Sequence, residues 1–138
     1  MNITVYTVHN SLTCENVKTF VMSDNNNAVY VKSMDGKTRA IFNKDNVYGV
    51  INRDYLIKND LPNHYDPKFS ILFGNGAAIY INADYYDFNV YTNTVTFYIG
   101  CKDDDKSYTK TVGIFNMDNL TGFEKIIHKE DKDGSEEA

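Results

Sequence analysis

The side chains of this chain best suited to chemistry crowd into one short stretch, Asp84-Tyr85-Tyr86-Asp87, with Tyr91 close behind. The chemistry they suit is adhesion. A tyrosine offers rigid, amphipathic contact area at low cost in side-chain entropy and is enriched where proteins meet. Carboxylates beside it complement a partner with a basic surface and speed encounter with it. Asp84, Tyr85, Tyr86, Asp87 and Tyr91 are therefore the expected partner-binding residues.

Catalytic constellations are missing from the sequence. It contains no G-x-S-x-G, no H-E-x-x-H, no phosphate loop and no dinucleotide fingerprint. Gly74-x-Gly76 reads as a turn, and His9, His64 and His128 lie far apart in sequence. The run Asp103-Asp104-Asp105 lacks the alternating oxygens, central glycine and distant Glu of a calcium loop, and reads as a solvated hairpin tip. No catalytic residue, metal or cofactor is assigned, and a non-enzymatic binding protein is expected.

A second reading rests on Arg39 and Arg53, the only two arginines. They would serve as phosphate contacts for a nucleotide-like ligand stacked on tyrosine in a cleft between the two halves of the chain.

Charge narrows the partners. The 138 residues carry a formal net charge of -5, and the lysines are scattered. A nucleic-acid binder needs a concentrated basic face to release counterions, so direct contact with nucleic acid is not expected. No apolar run approaches the ~20 residues needed to cross a membrane as a helix. The opening M-N-I-T-V-Y-T lacks a basic region followed by an apolar run, so no secretory signal is expected. Cys14 and Cys101 have neither a thiol nor a histidine at ligand spacing and read as reduced thiols. A soluble, cytoplasmic protein is the expectation. The bias towards Asn, Lys, Ile, Tyr and Asp, with no Trp, suggests an accessory product of a phage or mobile element, acting as an inhibitor or regulator.

The elements that must hold these side chains are organised by an internal repeat. Residues 40–49 read A-I-F-N-K-D-N-V-Y-G and residues 113–122 read G-I-F-N-M-D-N-L-T-G. Ile3/Ile71, Phe20/Phe88, Asn25/Asn93 and Tyr30/Tyr98 recur at an offset of 68 residues, whereas the I-F-N motif recurs at 73. Five residues inserted within 101–110 account for the difference, since insertions collect in exposed loops.

Segments rich in β-branched and aromatic residues, separated by Asn, Asp and Gly, predict strands over 2–8, 17–22, 29–33, 38–42 and 47–52 in the first half. In the second half they predict strands over 69–73, 77–82, 87–91, 94–99, 109–115 and 122–128. Residues 9–14 read as a polar turn. Asn43 and Asn116 read as caps where a strand ends, and Phe42 and Phe115 as core. The expectation is an all-β fold of two similar antiparallel units, residues 1–53 and 68–128, packed as a sandwich or partly open barrel about a pseudo-twofold axis. Residues 54–67 read as a packed linker with a helical turn near Asp54, residues 1–128 as one compact domain, and residues 129–138 as a charged, disordered tail. One such unit buries too little to stand alone, a physical reason for fusing two.

Overall fold

Among the described residues every regular element is a strand or a single 3₁₀ turn. The structure, a computed structural model, describes residues 1–57 and 68–126. The linker prolines Pro62 and Pro67, the histidines His64 and His128, and the charged tail 129–138 lie outside the described residues. The strands run β1 (Ile3–Thr7), β2 (Ser11–Cys14), β3 (Val17–Ser23), β4 (Ala28–Ser33), β5 (Thr38–Asn43), β6 (Val47–Asn52) and β7 (Leu56–Ile57). They continue with β8 (Lys68–Phe73), β9 (Ala78–Asn82), β10 (Tyr85–Asn89), β11 (Thr94–Asp103), β12 (Lys106–Asn116) and β13 (Leu120–Ile126). The fold is all-β, as the alternating patterns require. The 9–14 segment differs from its expected turn: Ser11–Cys14 pairs with β1, putting Thr13 opposite Thr4. Among the described residues no helix is long and apolar enough to cross a membrane.

The described residues form three antiparallel sheets that stack in layers. The middle sheet has the order β10-β11-β12-β6-β1-β2; a four-stranded sheet, β13-β8-β9-β7, and a three-stranded meander, β3-β4-β5, complete the fold. The middle sheet is apolar on both faces. One face contributes Tyr48, Ile51, Val95, Phe97 and Phe115, which pack with Phe69, Ile71, Phe73 and Ile81 of the four-stranded sheet. The other contributes Ile3, Val5, Val47 and Val50, which pack with Val17, Val29 and Val31 of the meander. Strand β6 serves both cores, and all six of its residues are buried. That explains why its sequence V-Y-G-V-I-N is nearly continuously apolar rather than alternating.

The chain moves between layers by one repeated device, an N-x-D corner. Asn43, Asn116 and also Asn52 end a strand, each accepting a hydrogen bond from the backbone N–H of the aspartate two residues on, at 3.0, 3.2 and 3.1 Å. Each then opens a three-residue 3₁₀ turn: Lys44–Asn46, Met117–Asn119 and Arg53–Tyr55. The side chain satisfies an N–H that the tight turn leaves without a backbone partner. All three corners carry the chain from one sheet to another: β5 to β6, β6 to β7, β12 to β13.

The two halves share strand order. The sequence β6-β1-β2 matches β13-β8-β9, and the meander β3-β4-β5 matches β10-β11-β12. Registers agree in detail: Val29 faces Phe42 as Val95 faces Phe115, and each ladder slips by one residue just beyond, at Val31/Lys32 and Phe97/Tyr98. Ile41 and Ile114 correspond, but the counterpart of Tyr30 is Thr96 rather than Tyr98, because Ile41 faces Tyr30 and Ile114 faces Thr96. Positive φ at Asn27 and at Asn93 marks the matching turns.

Pairing between the halves is one-sided. β12 joins β6 through Gly113, Ile114 and Phe115, whereas β5 and β13 end separate sheets. The halves repeat a topology in different surroundings, and the pairing does not produce the expected pseudo-twofold axis. The same asymmetry leaves Phe115 fully buried and Phe42 only half-buried.

Candidate functional site

Strand β10 occupies one end of the middle sheet and pairs only with β11, Tyr85 facing Tyr98 and Phe88 facing Val95. Its outer edge has no strand partner among the described residues. All five of its residues are exposed. Such an edge presents unpaired backbone donors and acceptors.

Its side chains alternate between faces, as a strand requires. Tyr85 and Asp87 point to one face, where the Tyr85 ring stacks on Tyr98 with centroids 5.6 Å apart. Tyr86 and Phe88 point to the other. There the Tyr86 ring meets Phe123 edge-on at 4.8 Å and closes the aromatic group formed with Phe69 and Phe97. Tyr91 sits in the turn after the strand and is 93% exposed. That turn is fixed by Asn89, whose side-chain oxygen accepts from the N–H of Tyr91 at 3.0 Å and of Thr92 at 3.3 Å.

Asp84 has a different role from its neighbours. Its carboxylate accepts the N–H of Gly100 at 2.5 Å, and its own N–H bonds to the Tyr98 carbonyl. This charge is spent on seating the start of β10 against β11. The five residues thus share an edge and not a face: Tyr85 and Asp87 lie on one side, Tyr86 on the other, Tyr91 at the tip, and Asp84 inside the hairpin.

The two arginines do not come together. Arg53 lies across β1 and β2, donating to the hydroxyls of Thr4 at 2.8 Å and Thr13 at 3.3 Å. Those threonines point away from Ile3 and Val5, so Arg53 is on the face opposite the meander. Arg39 is on the meander itself and donates to the Glu15 carbonyl. Neither lines the cleft of about 390 Å³ or the cleft of about 290 Å³ that open between the halves. Beside Arg53, burial pushes the Tyr6 hydroxyl above its ordinary value, and the guanidinium pulls it part of the way back.

Two features were absent from the reading of the sequence. Phe88, 41% exposed, and Val90, 67% exposed, extend the apolar run of β10. The run Y-Y-D-F-N-V-Y carries one charge among five large apolar side chains and was itself a legible signal. The third corner, Asn52-Arg53-Asp54, is hidden by its place at the start of the linker segment. It could have been found by reading N-x-D without requiring the preceding Phe. Comparison with protein-family models, curated proteins and solved structures finds no match to this chain.

Proposed function

We propose that this is a non-enzymatic binding protein that takes up an extended segment of a protein partner along the open edge of β10. One observation carries the reading. Of the twelve large apolar side chains exposed among the described residues, five fall within residues 85–91: Tyr85, Tyr86, Phe88, Val90 and Tyr91. Scattered exposed apolar residues need no explanation, but a contiguous group of them does.

Strand addition is the docking mode that uses both faces at once. The added strand supplies main-chain hydrogen bonds, and its alternate side chains meet Tyr85 and Asp87 on one side, Tyr86 and Phe88 on the other. Asp87 asks for a basic residue opposite it. Through such an edge the protein would act as an inhibitor or regulator by occupying the strand it captures.

The experiment is selection of extended peptides from a random display library, followed by titration of the winners into labelled protein. Saturable binding that shifts and protects the amides of residues 85–91 is expected. Selected peptides that leave those amides unchanged, or a library that yields no binder, would remove the support for this edge.

A further inference from the structure

One strand pairing joins the two halves, and each half keeps one side of a second such joint unused. In the joint that is made, Gly113, Ile114 and Phe115 of β12 pair with Ile51, Val50 and Gly49 of β6. Phe115 lies over Gly49, so close that a Cβ there would overlap its ring. The counterparts of β12 and β6 are β5 and β13, and each ends its own sheet among the described residues. β5 repeats the donor string as Ala40-Ile41-Phe42, and β13 repeats the receiving glycine as Gly122. The ladders behind the two glycines match as well. Gly122 faces Leu72 and Leu120 faces Phe73 across a slip, as Gly49 faces Tyr6 and Val47 faces Thr7.

Both unused sides carry what the joint requires. Ile41 is 61% exposed, whereas its counterpart Ile114 packs against the core under the meander. Phe42 is half-buried where Phe115 is fully buried. A Cβ at Gly122 meets nothing within 4 Å, and this glycine lines an open cleft of about 250 Å³ beside the exposed Leu72, with room for a phenylalanine ring. The corners repeat the pattern. Asn116 and Asn119 donate from their side chains to carbonyls of residues 44–47, whereas Asn43 and Asn46, in the same places, are exposed and donate no side-chain bond among the described residues. We infer that a second copy of this chain completes the joint: β5 of one copy pairs antiparallel with β13 of the next. Carrying over the register of the internal joint sets Ile41 opposite Phe123 and Phe42 over Gly122. Each pairing leaves β5 free at one end and β13 at the other, so copies add head to tail into chains or a ring rather than a twofold dimer. The outer edge of β10 takes no part in the pairing.

The test is sedimentation velocity of the full chain over a concentration series. The parent should assemble as concentration rises. Gly122→Ala puts a methyl where the Phe42 ring must lie and should raise the concentration needed by about tenfold or more. Ile41→Lys, which buries a charge in the joint, should do the same. Neither should disturb the single chain, because Ile41 is exposed and Gly122 is open; parental urea midpoints in dilute solution check that both variants fold. An equal mixture of the two variants should form a dimer and stop there, since one intact β5 then meets one intact β13. A parent that stays monomeric up to about 1 mM, the weak end of specific association, overturns the inference. So does assembly that both substitutions leave unchanged, or a mixture no larger than its components.

Discussion

The side-chain amide of Asn116 donates to the main-chain carbonyl of Lys44 at 3.0 Å, tying the second N-x-D corner to the first. Asn119 adds two more such bonds, to the carbonyls of Asp45 and Val47 at 2.7 and 2.9 Å. Lys44 answers in the other direction: its buried ammonium reaches the Asp24 carboxylate at 3.2 Å and the Thr92 carbonyl at 3.3 Å. Corner therefore meets corner, and each half helps close the other.

This makes two asparagines with the same local job unequal. Asn116 is 1% exposed and does double duty as cap and bridge, whereas Asn43 is exposed and caps, with only a long 3.4 Å contact from Asn27 besides. Asn43→Ala should cost about 1 kcal/mol, the worth of a cap. Asn116→Ala should cost about 2 kcal/mol, because the buried hydrogen bond from its amide to the Lys44 carbonyl is lost together with the cap. Urea unfolding of the two variants checks the order; equal losses would show that the bridge contributes nothing.

A similar contrast separates the glycines that end the two motif copies. A Cβ at Gly49 would collide with the Phe115 ring and stand 2.8 Å from the Ile114 carbonyl oxygen, whereas a Cβ at Gly122 meets nothing within 4 Å. Gly49→Ala should destabilise by about 1–3 kcal/mol through overpacking. Gly122→Ala should stay within about 0.5 kcal/mol of the parent. Matching denaturation midpoints for the two variants would contradict the close approach of β12 to β6.

Stability should also fall in alkali. Burial holds the Tyr6 hydroxyl above its ordinary 10.0, so near that pH the unfolded chain loses this proton before the folded one does. The folded state then binds more protons than the unfolded state, and stability declines as pH rises past that point. Below it both states hold the proton, and this contribution is fully present. Tyr6→Phe should flatten the decline between neutral and strongly alkaline pH, read as urea midpoints. Some slope should remain, because Tyr55 is raised as well, chiefly by burial.

For β10, kinetics should separate the nominated residues. Tyr85→Ala should speed dissociation of a selected peptide by about 30-fold if Tyr85 is a hot spot. Asp87→Lys should slow association and reduce its dependence on salt. Asp84→Ala should instead lower stability by about 1–3 kcal/mol, leaving the Gly100 N–H without its partner. Surface plasmon resonance beside thermal unfolding distinguishes these outcomes; identical kinetics for the first two variants would exclude the edge as the docking surface.

Much of the fold was legible in the residues because it is local. Alternation and turn residues mark where strands begin and end: Asp35-Gly36 turns with positive φ at Gly36, and Asn27 and Asn93 do the same for the matching hairpins. The N-x-D corner is legible for the same reason, since its defining hydrogen bond spans two residues.

Pairing between distant strands obeys no local rule. Residues 40–49 and 113–122 are nearly the same string, yet Phe115 is buried with Gly49 beneath it while Phe42 is half-exposed and Gly122 is open. What differs is that β12 has β6 as a neighbour, whereas among the described residues β5 has none on its outer side. The same holds for the charged side chains. Sequence alone placed Asp84 with Tyr85 and singled out Arg39 and Arg53. Tertiary structure turned Asp84 onto Gly100 and sent the arginines to threonine hydroxyls and a carbonyl. A strand's own residues determine its period, its faces and its turns. Which strand lies beside it depends on how the sheets stack to bury both faces of the middle layer, a condition of the whole chain.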